Sequence, residues 1–228
     1  MHPGEFETLE LDDPASRDRL LDLYRPPRTP WLRFNLITSV SGSAAGTDGT
    51  SETLTNPADR RLLGVIRELA DIVLVGAQSV RAEGFQLPRT ARLAVVTRSG
   101  DLAGHRISGT DGRVFIVCPE AASERAAASI PGAEIIALSG EGPLDPVAII
   151  AALRDRGFAS IVCEGGPSLV AQFVAAGVAD ELCLSTSPSL GSPSLPLLGQ
   201  SEIDPVRLEL SQLLLDDASG MYARWAVR

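Results

Sequence analysis

The chain has 228 residues, of which 44% are hydrophobic and 21% are charged, as in ordinary soluble globular proteins. This length lies within the range of one domain and is sufficient for a substantial hydrophobic core. The formal net charge of −9 argues against a general nucleic-acid surface and against attachment to an anionic membrane.

The N-terminal residues and the cysteines favour a cytoplasmic protein. Residues 1–13 are acidic and lack the apolar run of a signal peptide, and no segment approaches the roughly 18 apolar residues of a membrane helix. Cys118, Cys163 and Cys183 lie far apart in apolar runs, so we expect reduced, buried thiols in a cytoplasmic protein. The sequence has only two histidines and no spacing of metal ligands, so we expect no metal site.

We divide the chain into an N-terminal arm, residues 1–30, and a single domain, residues 31–228. The arm contains one helix candidate, SRDRLLDLY (16–24), which is followed by two prolines. The domain opens with the strand candidate LRFNLITSV (32–40). A helix is predicted after Asn56, because apolar residues then recur with the spacing of one helix face. Asn56 is a good N-cap, and the proline after it suits the first helical position.

From this helix onward, strand and helix signals alternate. Short strands that are apolar on both faces and separated by helices are typical of a mainly parallel sheet covered by helices. The predicted strands are IVLV (72–75), LAVV (93–96), VFIVC (114–118), EIIAL (134–138) and IVC (161–163), and further helices begin near Ala77, Asp145 and Pro167.

The C-terminal segment follows a different pattern. Val206, Leu208 and Leu210 alternate with polar residues, and the turn signal DDASG (216–220) precedes MYARWAV (221–227), which predicts an antiparallel hairpin. The predicted fold class is therefore α/β. It has a mixed, mainly parallel central sheet flanked by helices and a C-terminal antiparallel hairpin.

The stretch VCEGGPSLVAQF (162–173) places an acid and two glycines where a strand meets a helix. A helix N-terminus offers free N–H groups and partial positive charge, which together bind phosphate. Gly165 and Gly166 remove the side chains that would block this approach, and Ser168 adds a hydroxyl donor. The alternative is that the glycines only allow close packing of helix on strand. The pattern is not GxGxxG, so the dinucleotide fingerprint of a Rossmann fold is not present here.

Three segments carry a resemblance to a known family. They are NLITSVSG with LTNPADRRLL (35–42 and 54–63), ADIVLVGAQSVRAEGF (70–85) and CEGGPSLVAQFVAAGVADELCLSTSPSLG (163–191). Together they resemble the reductase domain of riboflavin biosynthesis, a relative of dihydrofolate reductase, and the resemblance extends from about residue 30 to the C-terminus. It implies a dihydrofolate reductase-like fold and an NADPH-dependent reductase. The implied substrate is 5-amino-6-(5-phosphoribosylamino)uracil or a close ribosylamino-pyrimidine phosphate, reduced at ribose C1′.

The resemblance also implies a set of cofactor-binding positions. Arg98 would pair with a 2′-phosphate and favour NADPH over NADH, whereas the alternative is a solvated loop residue. The complete set is Gly76, Ala77, Thr97, Arg98, Gly165, Gly166, Pro167, Ser168 and Leu169.

On the substrate side, the resemblance implies that Glu164 faces the ribityl chain, where a carboxylate can accept hydrogen bonds from several hydroxyls. The alternative is a structural acid that holds a nearby loop. Glu83 corresponds to a family aspartate near the reacting carbon and would deliver or relay a proton, unless it is only a surface carboxylate at a helix end. Asn35, Ser39 and Ser41 complete the predicted substrate-binding set.

Two motifs depart from the family pattern. The family's first motif has an aspartate before glycine and a basic residue after it, whereas this chain has Ser41 and Ser43 at those positions. The family's Asp-Asp-Pro is replaced by EGF (83–85). The cofactor half therefore matches better than the substrate half. The alternatives are a reductase of another small ring compound, such as a pterin or dihydrofolate, and a non-catalytic NADP-binding homologue. The resemblance also implies a homodimer.

Overall fold

A single nine-stranded sheet forms the centre of the part of the chain that the structure describes. The structure is a computed structural model and describes residues 8–10, 13–83, 85–107, 112–140, 142–191 and 195–228. The strands are β1 (Trp31–Ser39), β2 (Ile72–Gly76), β3 (Arg92–Val96), β4 (Val114–Pro119), β5 (Glu134–Leu138), β6 (Ser160–Cys163), β7 (Glu181–Ser187), β8 (Leu208–Leu215) and β9 (Met221–Val227).

The strand order is β5-β4-β3-β2-β6-β1-β7-β9-β8. The neighbours from β5 to β7 pair in parallel, whereas β9 runs antiparallel to both β7 and β8. The predicted fold class, with its C-terminal hairpin, is therefore confirmed. β7 was not among the predicted strands, although its apolar residues alternate at Leu182 and Leu184.

Helices cover both faces of the parallel part of the sheet. One core, which includes Val73 and Val75, contacts α1 to α4, and the other, which includes Ile72 and Leu74, contacts α5 and α6. The alternation of these residues along β2 sends successive side chains into opposite cores. The helices are α1 (Pro14–Tyr24), α2 (Pro57–Glu68), α3 (Ala77–Glu83), α4 (Ser123–Ser129), α5 (Pro146–Arg154) and α6 (Pro167–Ala175), with a 3₁₀ turn at Glu120–Ala122.

The helix starts follow the capping signals of the sequence. The Asn56 side chain accepts a hydrogen bond from the N–H of Asp59, and the Asp145 side chain accepts one from the N–H of Val147. Among the described residues, no helix is long and apolar enough to cross a membrane. The three cysteines are buried and unpaired, as the sequence predicts.

The carboxylate of Glu181 at the start of β7 is the centre of a buried ionic cluster. It accepts hydrogen bonds from Trp31 Nε1 at 3.3 Å, from Arg33 Nε, and from Arg224 Nε and Nη2 at 2.8 and 2.5 Å. Arg33 also donates to the backbone carbonyl of Tyr24 at 2.5 Å. The cluster therefore joins β1, β7 and β9 to the end of α1.

The helix of the N-terminal arm packs into the same core as the sheet. Leu20 and Tyr24 of α1 are buried, and Arg17 forms an ion pair with Glu68 of α2. The helix begins at Pro14, two residues before the predicted start, because Asp13 caps it.

The strand β8 is longer than the predicted alternation, which ends at Leu210. A register shift between Leu210 and Gln212 marks a β-bulge, after which the strand continues to Leu215. A bulge inserts one unpaired residue, so residues after it that share a face with earlier ones are an odd number of positions away in the sequence. The apolar–polar alternation of the sequence therefore breaks at the bulge, although the strand continues.

We expect Gly64→Ala to stabilise the protein by about 0.5–1 kcal/mol, because glycine is disfavoured inside a helix. Gly64 lies in the interior of α2, is exposed, and a Cβ added there would meet no atom within 4 Å. Urea unfolding of the two proteins measures the difference.

Gly157→Ala is the matched control. Gly157 follows α5 with φ +88°, where a side chain is strained, so this substitution should lower the unfolding free energy by about 1–2 kcal/mol. Equal effects of the two substitutions would contradict the assignment of Gly64 as an unstrained helical position.

Candidate active site

The predicted site residues lie mainly along one edge of the sheet. The strands that carry these residues all run in the same direction, so their carboxyl ends lie at the same edge of the sheet. These strands are β1, β2, β3, β6 and β7. Ligands bind at this edge in open α/β sheets. The predicted positions there are Ser39 at the end of β1 and Ser41 after it, Gly76 at the end of β2 and Ala77 after it, Thr97 and Arg98 after β3, and Glu164 to Leu169 after β6.

The glycine turn after β6 packs tightly against the end of β2. Gly76 donates its N–H to the carbonyl of Gly165 at 2.7 Å, and a Cβ at Gly76 would lie 3.5 Å from the nitrogen of Gly166. Gly165 has φ +93°, and the peptide bond that joins it to Gly166 is cis. A Cβ at Gly166 would lie only 2.9 Å from Ser79 Oγ in α3. The positive φ of Gly165 favours glycine there, whereas a Cβ at Gly166 would require the Ser79 hydroxyl to move.

The N-terminus of α6 emerges from this turn. Gly166 occupies the N-cap position and no side chain caps the helix, while Pro167 occupies the first turn. Ser168 is exposed, and Leu169 is buried against the sheet. Uncapped N–H groups at a helix start favour an anion, so the turn has the chemistry needed to bind phosphate.

Glu164 is paired with Arg67, which the sequence analysis did not identify. The two side chains form a bidentate pair, with Arg67 Nε 2.7 Å from Glu164 Oε1 and Nη2 2.6 Å from Oε2. The Glu164 side chain is 8% exposed and that of Arg67 is 20% exposed. Burial alone would lower the pKa of Arg67, but its hydrogen bonds to Glu164 and the charge of that carboxylate raise the pKa above its ordinary value.

Arg67 lies in the last turn of α2 and also contacts the segment after α3. Its guanidinium lies 4.9 Å from the ring centroid of the buried Phe85. No sequence signal indicates this pair, because Arg67 and Glu164 are 97 residues apart and helix ends commonly carry a basic residue.

Serine hydroxyls close the turn after β1. Ser39 Oγ lies 2.9 Å from Ser41 Oγ and accepts a hydrogen bond from the N–H of Ser43 at 3.1 Å. Ser43 Oγ donates a hydrogen bond to the carbonyl of Ala45 and accepts one from the N–H of Leu195 at 3.4 Å. Ser39 and Ser43 are buried, whereas Ser41 is partly exposed. Ser41 is therefore the most accessible of these three hydroxyls.

Of the remaining predicted residues, Asn35 stands apart from this edge. Asn35 lies in the middle of β1, in register with Cys183, and lines a small internal cavity with Tyr24 and Tyr222. Glu83 is the last residue of α3, but its side chain lies outside the described residues. The roles of both residues remain predictions.

A cleft of about 410 Å³ opens beside the carboxyl ends of β3 and β4. Thr97 is buried and donates its N–H to Val117 at 2.9 Å, so it holds the start of the loop on which Arg98 is exposed. Gly100 in this loop touches the start of α4, where a Cβ would lie 2.5 Å from a backbone carbonyl oxygen. The cleft is lined by Arg98, Ser99, Pro119, Ala121, Ala122, Glu124 and Arg125.

The site therefore changes in character along the sheet edge. Exposed arginines lie at the β3 and β4 end, an uncapped helix N-terminus lies at the centre, and a carboxylate and serine hydroxyls lie towards β1. In the part of the chain that the structure describes, no group of three or more metal-ligating side chains is present.

Comparison with known proteins identifies the same family in several ways. The family model of the RibD C-terminal domain matches residues 30–218. The riboflavin biosynthesis protein RibD of Mycobacterium tuberculosis is 30% identical over 165 residues, which are 72% of this chain and 44% of that protein. The chain thus spans less than half the length of this relative.

A second relative is matched over most of its length. The 2,5-diamino-6-ribosylamino-4(3H)-pyrimidinone 5′-phosphate reductase of Archaeoglobus fulgidus is 20% identical in an alignment 200 residues long, which covers 79% of this chain and 91% of that enzyme.

Solved structures agree with the sequence comparison. A pyrimidine reductase-like protein from Corynebacterium diphtheriae superposes with a TM-score of 0.73 and 25% identity, covering 87% of this chain and 92% of that one. A dihydrofolate reductase from Enterococcus faecalis, solved with NADP(H), has a TM-score of 0.53 and 13% identity, covering 87% of this chain and 97% of that one. The fold is therefore dihydrofolate reductase-like, and the chain belongs to the riboflavin-biosynthesis pyrimidine reductase family.

Proposed function

We propose that the protein is an NADPH-dependent reductase of a ribosylamino-pyrimidine phosphate, with 5-amino-6-(5-phosphoribosylamino)uracil as the first candidate. The observation that carries this proposal is the sheet edge, which combines an arginine-lined cleft, an uncapped α6 N-terminus and the Glu164 carboxylate. The name of the Archaeoglobus fulgidus relative supports the substrate class.

Several features of the chain support NADPH as the cofactor. The glycine turn keeps Cβ atoms away from the α6 N-terminus, where Gly166 and Ser168 would hold the diphosphate. The cleft beside β3 and β4 would take the adenosine end, with Arg98 and Arg125 near its 2′-phosphate. In an acidic chain, these exposed arginines supply local positive charge.

Reduction of C1′ consumes one hydride and one proton, and the nicotinamide supplies the hydride when NADPH is bound. The protein orients the substrate and manages charge. Glu164 would accept hydrogen bonds from ribose hydroxyls, and Ser41 would add a further polar contact. Glu83, at the end of α3, would hold and deliver the proton.

A second candidate substrate class is favoured by the absence of basic residues from two segments. Residues 34–59 and 157–206 contain no lysine, arginine or histidine, and they include the serine turn after β1 and the loop that contacts it after β7. Ser43, where the family has a basic residue, is only 4% exposed and its hydroxyl is used internally. A neutral ring, such as a free pterin or the pterin ring of dihydrofolate, suits this end of the site.

The experiment that tests the function measures NADPH oxidation with four compounds: the ribosylamino-pyrimidine phosphate, its dephosphorylated form, a dihydropterin and dihydrofolate. Turnover of the first alone supports the main proposal. Preference for the others supports the second candidate. Turnover of none, with NADPH still bound, indicates a non-catalytic homologue and contradicts both.

A homodimer is part of the proposal, because the C-terminal hairpin carries an exposed apolar face. The bulge keeps Leu208, Leu210, Leu213 and Leu215 on the same face, since their cross-strand partners occupy alternate positions of β9. These leucines are exposed, and β8 is the edge strand of the sheet. A second copy would cover this face. Their partners are Val227, Trp225, Ala223 and Met221.

We predict that the protein binds NADPH more tightly than NADH and that Arg98→Ala removes the difference. A charge-assisted hydrogen bond contributes about 1.5–3 kcal/mol, so the Kd for NADPH should rise roughly 10–100-fold while that for NADH stays unchanged. Titration by cofactor fluorescence measures both constants. Arg89→Ala, at an exposed arginine outside the cleft lining, is the charge-matched control. Equal affinities in the wild-type protein would refute the assignment.

We also predict that the double substitution Leu210→Glu and Leu213→Glu converts a dimer into a monomer. Buried charges oppose association, and each anchor lost at an interface costs about 1–2 kcal/mol, so the dissociation constant should rise at least roughly 10-fold. Light scattering measures the mass against 24.0 kDa for one chain. Val147→Glu, at an exposed valine on α5, is the control. A wild-type monomer at micromolar concentration would contradict the proposal.

A further inference from the structure

The two most buried carboxylates with arginine partners in the described chain differ in how their oxygens are used. A carboxylate has about four acceptor positions. Glu181 receives four hydrogen bonds from Trp31, Arg33 and Arg224, so the protein itself fills its acceptor positions. Glu164 receives two, both from Arg67. Within the described residues, Glu164 therefore keeps two acceptor positions for a ligand.

We propose that Arg67 is a positioning residue of the active site, which fixes the Glu164 carboxylate so that its two remaining acceptor positions meet the hydroxyls of the substrate. The bidentate geometry constrains the plane of the carboxylate as well as its position, because two parallel N–H···O bonds permit less rotation than one. This inference rests on the proposed function, in which Glu164 binds substrate.

The residues around Arg67 restrict its movement, so it can hold the Glu164 carboxylate in one position. It belongs to the last turn of α2, whose neighbouring residues Val65 and Ile66 are buried in the core. The guanidinium also packs over the buried Phe85 ring. Phe85 is two residues after Glu83, so Arg67 connects the Glu164 turn with the segment that carries the proposed proton donor.

A purely structural pair would act through stability alone, whereas a positioning residue changes substrate use in the folded protein. The test therefore uses Arg67→Met, Glu164→Gln and the double variant, with urea unfolding to confirm that each is folded. For Arg67→Met, kcat/KM should fall roughly 10–100-fold, as expected when charge-assisted hydrogen bonds are weakened. The Kd for NADPH should change by less than about twofold, because the α6 N-terminus and the cleft hold the cofactor.

The double variant decides whether Arg67 acts through Glu164. If it does, adding Arg67→Met to Glu164→Gln should reduce kcat/KM by less than about threefold, since residues in one network are not additive. Arg67→Lys, which offers one donor group instead of a planar pair, should recover only part of the loss. The control is Arg17→Met. Arg17 of α1 forms an exposed ion pair with Glu68, the residue after Arg67 on α2, and loss of this pair should leave kcat/KM unchanged.

Several outcomes would overturn the proposal. These are a folded Arg67→Met variant with wild-type kcat/KM, additive losses in the double variant, or an equal loss of NADPH affinity. If Arg67→Met does not fold, Arg67→Lys takes its place, and full activity of that variant would argue against bidentate positioning.

A readout without substrate separates this inference from the proposed function. If the wild-type protein reduces none of the four compounds, the proposed function fails. A crystal structure of the Arg67→Met variant still decides the role of Arg67. A changed Glu164 rotamer supports positioning, and an unchanged rotamer overturns it.

Discussion

A buried carboxylate, Glu181, links the parallel part of the sheet to the antiparallel hairpin through side chains, in addition to the backbone pairing of β7 with β9. Arg33 of β1 and Arg224 of β9 both bind it, and Arg33 extends the connection to α1 through the Tyr24 carbonyl. Removal of this carboxylate would leave two buried guanidinium groups without their anion, a costly state in a low-dielectric core. Because β7 is fixed between β1 and β9, the ends of β1 and β7 lie side by side, and the serine turn and its partner loop can meet there.

The site is organised as a gradient of charge along one sheet edge. At one end Arg98 and Arg125, with Glu124 between them in sequence, line a cleft beside the contact of Gly100 with α4. Its other end offers hydroxyls and the Glu164 carboxylate, which Arg67 neutralises. In a chain with a net charge of −9, exposed arginines at one end of this edge supply local positive charge.

Much of the fold could be predicted from the sequence, because it depends on local signals. Asn56 and Asp145 cap the helices they were expected to cap, and the short apolar strands form a parallel sheet. The length of β8 was missed, because a bulge interrupts its alternation. The Arg67–Glu164 pair could not be predicted from either residue alone, since only the tertiary fold brings α2 beside the β6 turn. Asn35, in contrast, already lies inside the strand predicted at 32–40, and the structure keeps it there.

The strand order has a consequence for how such a protein can diverge. The groups suited to the cofactor follow β2, β3 and β6, whereas the serine turn and its partner loop follow β1 and β7 at the other side. A change in one set therefore need not disturb the packing of the other. Proteins with this strand order can therefore change one set of groups and keep the other.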